Sequence, residues 1–82
     1  MNDLMISHKL TEDELTDIWR NVPASATHIA MDHDGKWYWY VGHPIENHAR
    51  RCWDGTGRFG CILPQPEMVK YPWLDSLMER PG

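Results

Sequence analysis

The stretch from Gly35 to Gly42 reads G-K-W-Y-W-Y-V-G, four consecutive aromatics between two glycines and their neighbours. Side chains along a strand alternate between faces, so Trp37, Trp39 and Val41 share one face and Tyr38 and Tyr40 the other. Trp, Tyr and Val all favour strands. The preceding Asp34-Gly35 pair is a hairpin signal. The pattern predicts the central strand of a small antiparallel sheet that carries aromatics on both faces.

The chain has 82 residues, which predicts a single domain over 1–82. A chain of this length buries a modest fraction of its surface. Its five Trp, three Tyr and one Phe offset that, because each buried aromatic removes about 150–250 Å² from water. The hydrophobic fraction of 41% is that of a globular chain rather than a disordered one.

The net charge is −4, and residues 1–17 account for all of it through Asp3, Glu12, Asp13, Glu14 and Asp17 against Lys9. Arg50, Arg51 and Arg58 form a later basic group. An acidic front on an otherwise neutral chain weighs against general nucleic-acid binding, which needs several cationic phosphate contacts. There is no apolar run of about 18 residues to cross a membrane. The start, M-N-D-L-M-I-S-H, lacks the basic and apolar regions of a signal peptide. The expected location is therefore cytoplasmic, with Cys52 and Cys61 as reduced thiols.

Leu4, Met5 and Ile6 suggest a short strand or a packed arm. Thr11 to Asn21 reads as a helix. Thr11 and Glu14 make a capping-box pattern, and Leu10 and Leu15 a hydrophobic staple. Leu15, Ile18, Trp19 and Val22 fall on one face, and Pro23 ends the helix. Strands are expected at Thr27–Met31, Lys36–Val41, Ala49–Trp53 and Arg58–Leu63. Asp32–Gly35 and Asp54–Gly57 are the turns, and Gly42–His48 is a loop. Glu67–Tyr71 reads as an extended link. Pro72 suits the first position of a second helix reaching Glu79. The expected fold class is α+β: a meander of about four antiparallel strands, with the N-terminal helix and the short C-terminal helix packed on one face.

Several clusters carry a chemical and a structural reading. His43, His48, Cys52 and Cys61 give H-x4-H-x3-C-x8-C. Zinc accepts such ligands, but the spacing matches no finger pattern, and two thiols facing across the Asp54–Gly57 turn would pack as small apolar residues. The expectation is no metal and no cofactor. Asp32-His33-Asp34-Gly35 resembles the start of a calcium loop, but Lys36 and His43 stand where later ligands belong. A self-bonded turn accounts for it. Asp54-Gly55-Thr56-Gly57 lacks the lysine and helix of a phosphate loop. Arg50, Arg51 and Arg58 flank it, and such a group could hold a carboxylate or phosphate. No catalytic pair is signalled, so the chain is read as a non-enzyme.

Trp19-Arg20, Pro23, Ala26-Thr27-His28, Gly35, Trp37-Tyr38 and Trp53 together resemble a pattern in small accessory proteins of tailed bacteriophages. There, a helix ending in Trp leads to a proline, a small residue and A-T-H, followed by an acidic turn, a G-x-W-Y strand and a later Trp. The resemblance covers roughly the middle two thirds of the chain, with Ser25 where glycine is more usual. It implies an origin, a phage protein made in the host cytoplasm, rather than an activity. Such proteins often bind a host protein and inhibit or redirect it.

The resulting expectation is a non-enzymatic binder and inhibitor of a host protein acting through an aromatic sheet face and the arginine hairpin, with Trp37, Tyr38, Trp39, Tyr40, Arg50, Arg51, Trp53 and Arg58 as contact residues. A second class is a small-ligand binder that stacks a nucleotide on Trp or Tyr. A third is a DNA mimic using the acidic helix. A second copy of the chain, forming a homodimer through an exposed sheet edge, is a further partner class.

Overall fold

The structure is a computed structural model that describes residues 10–66 and 72–82. The Leu4–Ile6 cluster and the Glu67–Tyr71 link lie outside the described residues.

Helix α1 spans Glu12–Asn21. Its start is the expected capping box: Thr11 Oγ1 accepts from Glu14 N at 3.1 Å, and Glu14 Oε1 accepts from Thr11 N at 2.7 Å. Each bond satisfies an amide that the helix leaves without a partner. Glu12, Asp13 and Glu14 stand in the first turn, where the helix dipole favours them. Leu10, Ile18 and Val22 are buried, with Leu15 and Trp19 packed against the same cluster.

Strands β1 (His28–Met31) and β2 (Trp37–Tyr40) form the predicted hairpin, in the register His28–Tyr40, Ile29–Trp39, Ala30–Tyr38 and Met31–Trp37. Gly35 has φ 91°, the left-handed region that glycine enters without a side-chain penalty. The remaining strands are β3 (Ile45–Asn47), β4 (Cys52–Asp54), β5 (Phe59–Cys61) and β6 (Met78–Glu79). The main antiparallel sheet has the order β5-β2-β1-β6, and β3 and β4 form a separate two-stranded ribbon.

The α+β class with a four-stranded antiparallel sheet is as expected, but the strands do not run as a meander. β5 pairs with β2, and the chain between them leaves the sheet to make the ribbon. The expected loop at Gly42–His48 contains β3, whose Ile45 and Glu46 are exposed, so no alternation of apolar residues announced it. The expected strand at Ala49–Trp53 begins only at Cys52, because Ala49–Arg51 is the ribbon's turn and Arg51 takes φ 56°. Cys52 and Cys61 therefore stand in different sheets, opposite Asn47 and Tyr38, and do not face one another as strand partners.

The expected C-terminal helix is reduced to a 3-10 turn at Trp73–Asp75, after which Met78 and Glu79 join the edge of β1. A helix of two turns is marginal by itself. Here Ser76 Oγ accepts from Met31 N at 2.8 Å, which draws the chain onto the sheet edge. The 3-10 turn lies toward the ribbon: the rings of Trp73 and Trp53 meet edge to face with centroids 5.7 Å apart.

The sheet is thus covered on both sides. Ile29, Met31, Trp37 and Ile62 are buried with the apolar face of α1, and Trp39 packs against them. Ala30 and Tyr40 are buried with Trp53 of the ribbon, joined by Tyr38, Trp73 and Leu77. Gly60 lies opposite Trp39, and a Cβ there would come within 2.7 Å of the indole. Arg80 ties the end of the chain back, donating to Ala26 O at 2.7 Å and Pro23 O at 3.0 Å with its guanidinium 4.8 Å from the Trp19 ring.

Candidate functional site

The tyrosine face of the sheet and the ribbon do not close on one another completely. Between them lies an open cleft of about 520 Å³. Tyr38, Tyr40 and Phe59 contribute from the sheet, and Arg50, Cys52 and Asp54 from the ribbon and its turn. Tyr40 and Phe59 are cross-strand partners, and their rings stack with centroids 6.0 Å apart at 24°. Tyr40 is buried, whereas Phe59 is 58% exposed. The cleft therefore has a fixed aromatic floor and a free aromatic rim.

Trp53 holds the ribbon in place. Its backbone N–H donates to Asp32 Oδ1 at 3.0 Å, and its indole Nε1 donates to Trp73 O at 3.3 Å. Next to Asp32, His33 donates to the Arg51 carbonyl from its backbone N at 3.2 Å and from Nδ1 at 2.9 Å. Asp34 Oδ1 accepts from Lys36 N at 3.0 Å. Asp34 thus makes the local bond expected of a turn residue, while Asp32 and His33 reach across to the other layer. Within the ribbon, Asn47 Oδ1 accepts from Arg50 N at 3.1 Å, and Asn47 Nδ2 donates to Asp54 Oδ2 at 3.0 Å.

Carboxylates set the sign of the field in the cleft. Burial raises the pKa of Tyr38 and of Tyr40, and the Asp32 charge adds to both shifts. Burial also raises the Cys52 thiol, with Asp32 and Asp54 adding to the shift and Arg50 opposing it. Asp32 is itself raised by burial, against the Trp53 N–H bond that favours its charged form. Phenol and thiol groups in such surroundings keep their protons. A thiol raised in this way is a poor nucleophile.

The eight residues expected to contact a partner separate into groups. Tyr38, Tyr40, Trp53 and Arg50 meet at the cleft. Tyr40 and Trp53 are nevertheless buried, so little of either ring can reach another molecule. Trp37 is wholly buried under α1, and Trp39 packs in the same layer; neither belongs to an open recognition face. Arg51 and Arg58 are exposed but do not line the cleft. Arg51 serves the fold through its carbonyl, and Arg58 O accepts from Val41 N at 2.8 Å.

His43, His48, Cys52 and Cys61 each find another neighbour. His43 Nδ1 donates to Pro44 O at 2.7 Å, His48 Nε2 lies 2.8 Å from Glu46 Oε1, and Cys52 Sγ donates weakly to Asp54 Oδ1 at 3.9 Å. Cys61 Sγ accepts from Gln65 Nε2 at 3.4 Å. Among the described residues, no three His, Cys, Asp or Glu side chains converge as metal ligands. No described helix is long and apolar enough to cross a membrane.

Asp32, Cys52, Asp54, Gly55 and Phe59 also line the cleft and were not among the expected contacts. Phe59 carried no signal beyond its place in a strand, because only the β2–β5 register sets it beside Tyr40. In the sequence Asp32 has only the signal of a turn residue, since its bond to Trp53 spans 21 positions of the chain. Comparison with family models, with curated proteins and with solved structures gives no match.

Proposed function

We propose that this chain is a non-enzymatic binding protein that holds, and by holding inhibits, a host bacterial protein at the cleft between its sheet and its ribbon. The observation that carries the reading is the cleft's build: an exposed Phe59 and a half-buried Tyr38 above a fixed Tyr40 floor, with Arg50 at the ribbon turn. Aromatics and arginine around a preformed hollow are the residue types that dominate binding energy at protein interfaces. The raised pKa values of Tyr38, Tyr40 and Cys52 favour binding over proton transfer or thiol chemistry there. The resemblance to phage accessory proteins supplies the bacterial host and the cytoplasmic setting of this reading.

The test is capture from bacterial lysate with the wild-type chain and with a Phe59→Ala, Arg50→Ala double variant. Both side chains are exposed, so the variant keeps its fold. A protein recovered by the wild type and depleted at least tenfold with the variant supports the reading. Recovery of the same set by both overturns it.

A second reading, a nucleotide sequestered on the cleft's aromatics, is favoured by the one arginine there. Asp32 and Asp54 would oppose its phosphates. Quenching of tryptophan fluorescence by nucleotides is the outcome that this reading requires.

A further inference from the structure

We propose that the group this cleft accepts is a cation: the guanidinium of an arginine or the ammonium of a lysine projecting from the bound protein. The inference rests on the reading of the cleft as a protein-binding site and names the chemistry of the partner's anchor.

Two carboxylates, Asp32 and Asp54, line the cleft against one guanidinium, Arg50. Among the described residues, neither carboxylate has a cation within 4.0 Å, since the ion pairs there are Asp17–Arg20 and Glu46–His48. Asp32 accepts one bond from Trp53 N through Oδ1. Asp54 accepts from Asn47 Nδ2 through Oδ2. Among the described residues, both carboxylates are thus oriented by neutral donors and neither is paired with a cation. Asp32, which is half-buried, gains more from an incoming cation than the exposed Asp54 does, because water screens it less.

The walls suit the same guest. The half-buried Tyr38 and the exposed Phe59 present aromatic carbon beside the carboxylates, over the buried Tyr40. The face of an aromatic ring attracts a cation, and the aliphatic stem of Lys or Arg packs on such a surface. Arginine is favoured over a bare metal ion or small ammonium, since its planar head both stacks on rings and bridges carboxylates. An anion would meet the like charges of the half-buried Asp32 and the exposed Asp54. The cleft therefore discriminates by sign, and Arg50 at the turn is placed to pair with an acidic neighbour of the inserted residue.

The experiment is a nuclear magnetic resonance titration of the full chain with N-acetyl-arginine methylamide and N-acetyl-lysine methylamide, with N-acetyl-glutamate methylamide as the control. The signals of Tyr38, Trp53, Asp54 and Phe59 should move in a saturable way with the two cationic probes and stay fixed with the acidic one. An Asp32→Asn, Asp54→Asn double variant keeps both hydrogen-bond acceptors and removes both charges. It should bind the cationic probes at least tenfold more weakly, with its remaining spectrum unchanged. Equal response to the acidic probe, unchanged affinity in the double variant, or no response to either cation at 50 mM, roughly the weakest range in which a single side chain registers, overturns the proposal. If the cations fail while the lysate partner still depends on Phe59 and Arg50, only the cation chemistry falls. If the cations bind while no partner depends on those residues, the cleft is a small-cation site and the protein-binding reading falls.

Discussion

The Gln65 side-chain amide does for Trp37 what a neighbouring strand would do: Oε1 accepts the Trp37 N–H at 2.8 Å and Nε2 donates to the Trp37 carbonyl at 2.9 Å. Trp37 pairs across the hairpin with Met31, whose N–H and carbonyl are served in turn by Ser76 Oγ at 2.8 and 3.1 Å. At this end of the sheet the backbone beyond β5 supplies one bond, from Ile62 N to the Trp37 carbonyl at 3.1 Å, and the two side chains supply the rest.

Removing either side chain leaves strand amides without partners. Gln65→Ala and Ser76→Ala are each expected to lower stability by about 1–3 kcal/mol, the cost of an unsatisfied buried polar group. Gln65→Glu should not restore it, because a carboxylate has no N–H for the Trp37 and Ile62 carbonyls. Urea denaturation measures both. A change within about 0.5 kcal/mol, the range of ordinary surface substitutions, would contradict the role given to these bonds.

Gly60→Ala is expected to cost about 1–3 kcal/mol by overpacking. The new methyl would lie 2.7 Å from Trp39 Cζ2, whereas a Cβ at Gly82 meets nothing within 4 Å and makes Gly82→Ala the control. In a Trp39→Leu background the penalty should shrink, since the clashing ring is gone. An equal penalty in both backgrounds would place the cause elsewhere.

Asp32 separates acceptor from charge. Asp32→Ala abandons the Trp53 N–H and should cost about 1–3 kcal/mol. Asp32→Asn keeps an acceptor and should cost less. The folded-state pKa of Asp32 is raised above 3.8 by burial, so its contribution is most favourable at low pH and is lost as pH rises through the folded value. Between about pH 3 and pH 7, the stability difference between wild type and Asp32→Asn should therefore shift toward Asn. Parallel curves would show that burial does not perturb this group.

His28 works in the opposite direction. Burial lowers its pKa below 6.5, the nearby His43 lowers it further, and Glu79 opposes the shift. The rings of His28 and His43 lie 5.0 Å apart. The unfolded chain then takes up the proton first, so stability present above pH 6.5 is lost as pH falls through the folded value. His43→Asn should raise the His28 midpoint in a proton titration and flatten this acid-side loss. A midpoint that stays in place would rule out the coupling.

What the sequence announces and what it conceals differ in physical kind. The Thr11–Glu14 box, the α1 apolar face and the Asp34-Gly35 hairpin depend on neighbours within one or two turns of chain, and each is found where the pattern puts it. β3 and β6 have three and two residues, and pairing supplies their order, so propensity does not reveal them, while β4 shares only Cys52 and Trp53 with the strand expected at Ala49–Trp53. The even spread of aromatics over both faces of β2 was legible. That the ribbon would cover the tyrosine face was not, because it depends on Asp32, His33 and Trp53 meeting across the fold. The candidate site shares this limit: Tyr38, Tyr40, Arg50 and Trp53 were identified by type, while Phe59 and Asp32 required the register and the docked ribbon.

A turn that reverses a hairpin is usually the place where a chain tolerates an added residue, but the Asp32–Gly35 turn is also the fastening for another layer. One extra residue after Met31 could leave every β1–β2 bond intact while moving the Asp32 carboxylate and the His33 donors away from Trp53 and Arg51. The ribbon would then lose its grip, and the cleft would lose its roof. Variation that reshapes the cleft without dismantling the sheet has its natural route through the length of this one turn.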